Sequence, residues 1–209
     1  MARLGLMAGM MLLSAAVVAE DLQGDPEAGR NKAQVCAACH GQDGNSVNPA
    51  WPKIAGQSKR YFISQLKAFK EGAKGPRQGA NAVLMYPMAA GLSEQDMADL
   101  AAYFSSQKAT PGVAADNLVK KGSAIYQGGN ADFGSAACIG CHGPAGKGNP
   151  AAGFPALSGQ HALYTYNQLK AFHDGQRSGD PNGMMRNMVR KMSDDEMQAV
   201  AEYIQGLYE

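Results

Sequence analysis

The pattern Cys-x-x-Cys-His occurs twice in this chain, as Cys36-Ala37-Ala38-Cys39-His40 and as Cys138-Ile139-Gly140-Cys141-His142. On a helical turn, positions i, i+3 and i+4 share one face, so each motif aims two thiols and an imidazole at one flat ligand. The thiols are placed to add to the vinyl groups of a haem as thioethers. The histidine then lies under the ring, with Nε2 toward iron. Other uses of the cysteines leave the histidine unexplained. A dithiol redox pair expects a βαβ context, and no convincing strand pattern occurs. A four-cysteine zinc site expects pairs about 15–20 residues apart, whereas 98 residues separate Cys39 from Cys138. Two disulfides would use every thiol and ignore both histidines. The motifs therefore predict two covalently bound haem c groups, held by Cys36, Cys39, Cys138 and Cys141, with His40 and His142 as axial iron ligands.

Residues 1–19 read as an export signal: Arg3 gives a positive start, Leu4 to Leu13 is largely apolar, and Val17 and Ala19 suit a signal peptidase. The apolar stretch is shorter than the ~20 residues that span a bilayer, so cleavage near Ala19 is expected, with the mature protein in the periplasm. Covalent haem attachment in bacteria takes place outside the cytoplasmic membrane, which agrees. The chain has 19 basic and 18 acidic residues, and Arg3 is the only charged residue of the signal. Without it the charges balance. No basic excess exists to displace counterions, so nucleic acid is not expected as a partner.

The rest of the chain is a tandem repeat. Asp25-Pro26-Glu27 is an N-cap with proline at N1, and a helix is expected through Gly29 into Cys36. Its counterpart opens at Asp116 and runs through Gly122 and Tyr126. Gly29 and Gly122 correspond, at points where a second helix would cross closely. A Gly-rich insertion at 127–135 is expected as a surface loop. After each histidine come a Gly-x-x-Gly turn signal and the paired segments Trp51-Pro52-Lys53-Ile54-Ala55-Gly56-Gln57 and Phe154-Pro155-Ala156-Leu157-Ser158-Gly159-Gln160. A helix then carries Gln-Leu-Lys-Ala-Phe at 65–69 and at 168–172, with Phe62, Leu66 and Phe69 on one face. Ser93-x-x-Asp96 and Ser193-x-x-Glu196 resemble capping boxes. Met97, Leu100, Ala101 and Phe104, and likewise Met197, Val200, Ala201 and Ile204, follow a helical stripe. The fold class is all-α, with units at 20–109 and 115–209 joined by a linker at 110–114. Each unit is small for a self-sufficient core.

The sixth iron ligand separates a carrier from an enzyme. His161 and His173 both lie in the second half and read as solvated helix residues, so the first haem has no second histidine within its own unit. Of 12 methionines, eight follow residue 19. Met97 and Met197 belong to the stripes and Met192 to the core, leaving Met85/Met88 and Met185/Met188 as aligned candidates, with Met184 unpaired. Met88 and Met188, each five residues before a capping serine, are chosen as the axial pair, with Met85 and Met185 the alternative. A thioether raises the haem potential relative to a second histidine. The carbonyls of Pro52 and Pro155 are candidates to accept from Nδ1–H of the two motif histidines. The basic residues Lys67, Lys70, Lys74 and Arg77, and Lys170, Arg177, Arg186, Arg190 and Lys191, form either a solvated face or a rim that steers acidic partners. Lys74 or Arg177 could instead neutralise a haem propionate.

On these motifs taken together, the Met-x-x-Met runs and Arg177-Ser178-Gly179-Asp180-Pro181 included, the chain resembles the dihaem cytochrome c4 family over essentially its whole mature length. The resemblance implies two class I cytochrome c domains related by an approximate two-fold, with His40/Met88 and His142/Met188 ligation and propionates approaching one another near the domain interface. It also implies single-electron transfer in the periplasm toward membrane respiratory complexes, a terminal cytochrome c oxidase included, by a monomer with loose peripheral membrane association. The competing class is a dihaem enzyme, a peroxidase or sulfur-compound oxidase, which needs an open iron position with acid–base groups beside it. No such constellation is visible. With so much apolar volume assigned to haem, protein prepared without haem is expected to show no cooperative thermal transition by circular dichroism. A sharp melt of haem-free material would refute this.

Overall fold

The computed structural model describes residues 23–131 and 134–208; the expected export signal lies outside them. Each half begins and ends with helices that cross. In the first half these are α1 (Pro26–Lys32), α2 (Gln34–His40), α3 (Lys59–Lys70), α4 (Ala80–Ala90) and α5 (Glu94–Ser106). The second half repeats them as α6 (Asp116–Gly128), α7 (Ile139–His142), α8 (Ala162–His173), α9 (Met184–Val189) and α10 (Asp194–Gln205). Among the described residues there is no β-strand, only isolated bridges.

The Asp25 side chain caps α1 by accepting from the amides of Glu27 and Ala28. The helix expected to continue into Cys36 is in fact two. Ala33 closes α1 and opens α2, with Cys36 N–H bonded to the Ala33 carbonyl at 3.0 Å. This tighter turn redirects the chain, so α1 can pack on α5 while α2 faces the pocket. In the second half α6 is unbroken to Gly128, longer than the expected loop start allowed. The chain then reverses through paired backbone bonds between Asn130 and Ser135.

The first and last helices of each half cross in backbone contact. A Cβ built on Gly29 would stand 2.0 Å from the Asp99 carbonyl oxygen, and one on Gly122 would stand 2.1 Å from that of Ala199. Both C-terminal helices start in closed capping boxes, Ser93 with Asp96 and Ser193 with Glu196. The expected stripes are buried. Met97, Leu100, Ala101 and Phe104 pack with Phe62, Leu66 and Phe69, and Met197, Val200 and Ile204 pack with Tyr126, Phe172, Val189 and Met192.

The halves are joined by a reciprocal exchange. The Lys53 amide donates to Gln160 Oε1 (2.9 Å), and Gln160 Nε2 donates back to the Lys53 carbonyl (2.8 Å). Gln57 does the same for Ala156, at 3.0 and 3.1 Å. Lys53 and Ala156 hold equivalent places in the repeat, as do Gln57 and Gln160. The contact is therefore approximately two-fold. His161 is not a solvated helix residue. It precedes α8, and its Nε2 donates to the Ser46 carbonyl of the other half at 2.8 Å. His173 is partly exposed and bonded to Asp174, consistent with a helix surface.

One asymmetry has a consequence. Asp99, 3% exposed, accepts from the Asp25 amide, Gln95 and Lys32, and so ties α1 to α5; its equivalent is Ala199. The Lys32 ammonium and the Asp25 amide hold the Asp99 carboxyl below the usual range. A depressed carboxyl stabilises fully above its unfolded pKa, about 4, and that contribution is lost as pH falls through the folded value. Asp99→Asn should therefore flatten the acid limb of the stability–pH curve. Separately, Gly29→Ala and Gly122→Ala should each lower stability by about 1–3 kcal/mol or more through overpacking, read as a fall in denaturant midpoint. Unchanged midpoints would remove the close crossing as a constraint.

Candidate haem sites

Each motif occupies a helical turn, as its spacing requires. Cys36, Cys39 and His40 are on α2, and Cys138, in α-helical conformation, leads into α7 with Cys141 and His142. Gly41 and Gly143 end these turns at φ +78° and +76°, a region that L side chains rarely adopt. The chain thus leaves the histidine sharply and returns beneath it. On that return lie the two prolines. His40 Nδ1 donates to the Pro52 carbonyl at 2.8 Å, and His142 Nδ1 donates to the Pro155 carbonyl at 3.0 Å. Donation from Nδ1 fixes the tautomer and leaves the Nε2 lone pair free for a metal.

Both rings are buried, at 7% and 6% exposure. Burial pushes their pKa values below the ordinary histidine range, only partly offset by the carbonyl bond. They are neutral imidazoles, the form that ligates iron. The cysteines are not paired in disulfides. Burial pushes the Cys138 thiol up to about 11 and raises Cys36 as well. Thiols held protonated are poor zinc ligands and poor dithiol nucleophiles. They suit addition of S–H across a vinyl group. The donor set fits a c-type haem, two thiols and one neutral imidazole on a single face in each half.

The structure separates the methionines. Met85 is partly buried and packs against the first core, and Met185 packs in the same way against the second. They occupy equivalent places. Met88 lies on the outer side of α4 and is 49% exposed, and Met188 Sδ lies 3.3 Å from Ser135 Oγ.

The basic residues, read from the sequence as either a solvated face or a rim, do not form a single surface. Lys67 pairs with Glu94, Lys170 with Asp174 and Asp194, and Arg186 with Asp180. Lys70 donates to the Leu92 carbonyl. Arg77 and Arg177 are not on the surface at all but buried between the halves. Sequence reasoning missed that placement. The signal available was the repeat itself: Tyr61, Gln65, Phe69 and Arg77 recur as Tyr164, Gln168, Phe172 and Arg177.

Two helical units, each with a Cys-x-x-Cys-His turn and a carbonyl-anchored neutral imidazole, define a tandem c-type cytochrome. The family model for cytochrome c matches residues 27–108 and again 119–208. Cytochrome c4 of Azotobacter vinelandii is 48% identical over 189 residues, covering 88% of this chain and 90% of that protein. The crystal structure of reduced recombinant cytochrome c4 from Pseudomonas stutzeri superposes with a TM-score of 0.84 at 46% identity, over 88% of this chain and all of that one. A more distant relative, a thiosulfate dehydrogenase electron acceptor of Stutzerimonas stutzeri, is 39% identical over 82% of this chain and 78% of its own length. The chain belongs to the dihaem cytochrome c4 family, whose members carry two covalently bound haem c groups and act as electron carriers rather than enzymes.

Proposed function

We propose that this protein is a periplasmic shuttle that delivers single electrons to a membrane respiratory complex, a terminal cytochrome c oxidase foremost. Bound haem c supplies the one-electron ferric–ferrous couple; the protein supplies the ligands, burial and orientation. The observation that carries the reading is the neutral, carbonyl-anchored imidazole present in both halves. It matches a permanently ligated iron on each side of the molecule. The remaining histidines are engaged elsewhere, His161 with Ser46 across the interface and His173 with Asp174, so neither serves as an acid–base group beside an iron. The relative named as an electron acceptor of thiosulfate dehydrogenase supports a carrier that also receives electrons from a dehydrogenase. Among the described residues no helix is long and apolar enough to cross a membrane. This suits a shuttle that docks and departs, released by cleavage of residues 1–19, with working units at 20–109 and 115–209.

For the sixth ligands we favour Met85 and Met185 over Met88 and Met188. Equivalent packing against the core of each half supports the inner pair, and the exposure of Met88 argues against the outer one. Thioether ligation, with its higher potential, suits delivery to an oxidase. The test is the methionine–iron charge-transfer band of ferric protein. It should be diminished in Met85→Ala and in Met185→Ala, and intact in Met88→Ala and Met188→Ala; the reverse pattern would restore the outer pair. In the unmutated ferrous protein, carbon monoxide should leave the spectrum unchanged. A clear shift would reveal an accessible iron and sink the carrier reading.

A further inference from the structure

The repeat makes α4 and α9 two versions of one helix, and they differ in what they show to solvent. In α4 no position is charged, and Val83, Leu84, Tyr86 and Met88 are 73%, 60%, 46% and 49% exposed. Val83 and Pro87, and likewise Leu84 and Met88, are four residues apart and so are neighbours on one face. Tyr86 stands at its edge, against the turn at Gly72, where a Cβ would lie 3.1 Å from the ring. The equivalent positions of the second half are Gly183, Met184, Arg186, Asn187 and Met188. There Arg186 pairs with Asp180, and Ser135 Oγ donates to Met188 Sδ at 3.3 Å.

The inward sides of the two helices match. Ala89 and Val189 are both buried, and Met85 and Met185 both pack against a core. The fold therefore does not require the apolar exterior of α4, since α9 takes the same place with a charged residue and an amide outside. Single exposed apolar side chains need no explanation, but a contiguous cluster marks an interaction site. The charges around the face largely cancel. Lys67 pairs with Glu94, Lys70 donates to the Leu92 carbonyl, and the turn beside Tyr86 carries one charge of each sign, Glu71 and Lys74.

We propose that the outer face of α4 is the docking port of the first haem, fitted to an uncharged apolar face on the redox protein that takes its electrons. The proposal rests on the carrier reading above, with Met85 as the inner ligand. Met85 belongs to the same helix, on the side turned to the core. A partner seated on Leu84 and Met88 is then separated from that thioether by the width of one helix, about 10 Å. The size of the face chooses among occupants. Four side chains offer on the order of a few hundred Å². That is the scale of weak redox encounters, whereas a permanent second copy of the chain would need about 2,000 Å² or more. A lipid surface is bound through a basic polar face, and here Glu71 and Glu94 offset the cations beside the patch. Contact between apolar faces is not screened by salt, so this docking should survive changes of ionic strength.

The experiment is steady-state oxidation of the ferrous dihaem protein by a purified terminal cytochrome c oxidase. It compares the unmutated chain, the double variant Val83→Ser/Leu84→Ser, and Met184→Ser at the equivalent place in the second half. The double variant should raise KM about tenfold or more, with kcat, both potentials and the methionine–iron charge-transfer band unchanged. Met184→Ser should leave KM where it was. In the unmutated protein kcat/KM should hold within about twofold between about 50 and 500 mM salt. An unchanged KM in a double variant that keeps two low-spin haems would overturn the port and leave the carrier reading standing, as would an equal rise in Met184→Ser. If the double variant does not mature, the unmutated protein decides, since a fall of kcat/KM by about tenfold or more over that salt range would assign docking to charge and overturn the port. Binding to phosphatidylglycerol vesicles, or self-association in the ultracentrifuge, that is lost in the double variant would give the face to lipid or to a second copy and overturn the port as well. Failure of the unmutated protein to reduce the oxidase at all would overturn delivery to an oxidase and the port together.

Discussion

In each half a backbone carbonyl occupies the space where the Cβ of a side chain would otherwise stand. The crossings of α1 with α5 at Gly29 and of α6 with α10 at Gly122 are the contacts on which the rest depends. With no side chain between them the helices meet at backbone distance. That closeness buries the apolar stripe of the C-terminal helix against the aromatic face of α3 or α8. The imidazole hangs from a proline carbonyl on the returning loop instead of facing solvent.

The loop after each motif has a second task. Its proline anchors the histidine, and its next residue bonds to a glutamine of the opposite half. Ligand orientation and domain docking thus share one stretch of backbone. The consequence is mechanical: a shift between the halves is felt at Lys53 and Ala156, one residue from the carbonyls that set the imidazole planes. The buried arginines meet at the same seam. Two-fold symmetry brings like residues together, which is why two cations face each other where a hydrogen-bonded pair of neutral groups would have served packing alone.

Much of this was legible in the residue order because it is local. Helix caps at Asp25, Ser93 and Ser193, the stripes beginning at Met97 and Met197, and the grouping of two thiols and an imidazole all act within a few residues. Even the closeness at Gly29 and Gly122 could be read from the repeat. What could not be read depended on partners distant in the chain. His161 looked like one polar residue at a helix edge, yet it bonds to Ser46 in the other half. Arg77 and Arg177 looked like members of a solvated face or a basic rim, although stacking on Phe69 and Phe172 takes them inside. The break at Ala33 carried no Gly or Pro signal; it follows from the need of α1 and α2 to face different neighbours.

The sequence by itself determined the chemistry: covalent haem twice over, a histidine directly after each cysteine pair, a tandem helical repeat, and no basic excess for nucleic acid. It could do so because the spacing of a motif on a helical turn is a property of the backbone alone. Only the tertiary structure decided which methionine of each pair packs against the core, because positions three residues apart on a helix differ only in what packs against them. It also decided that the two arginines are buried, since an interface between repeats is assembled from segments that no local pattern links.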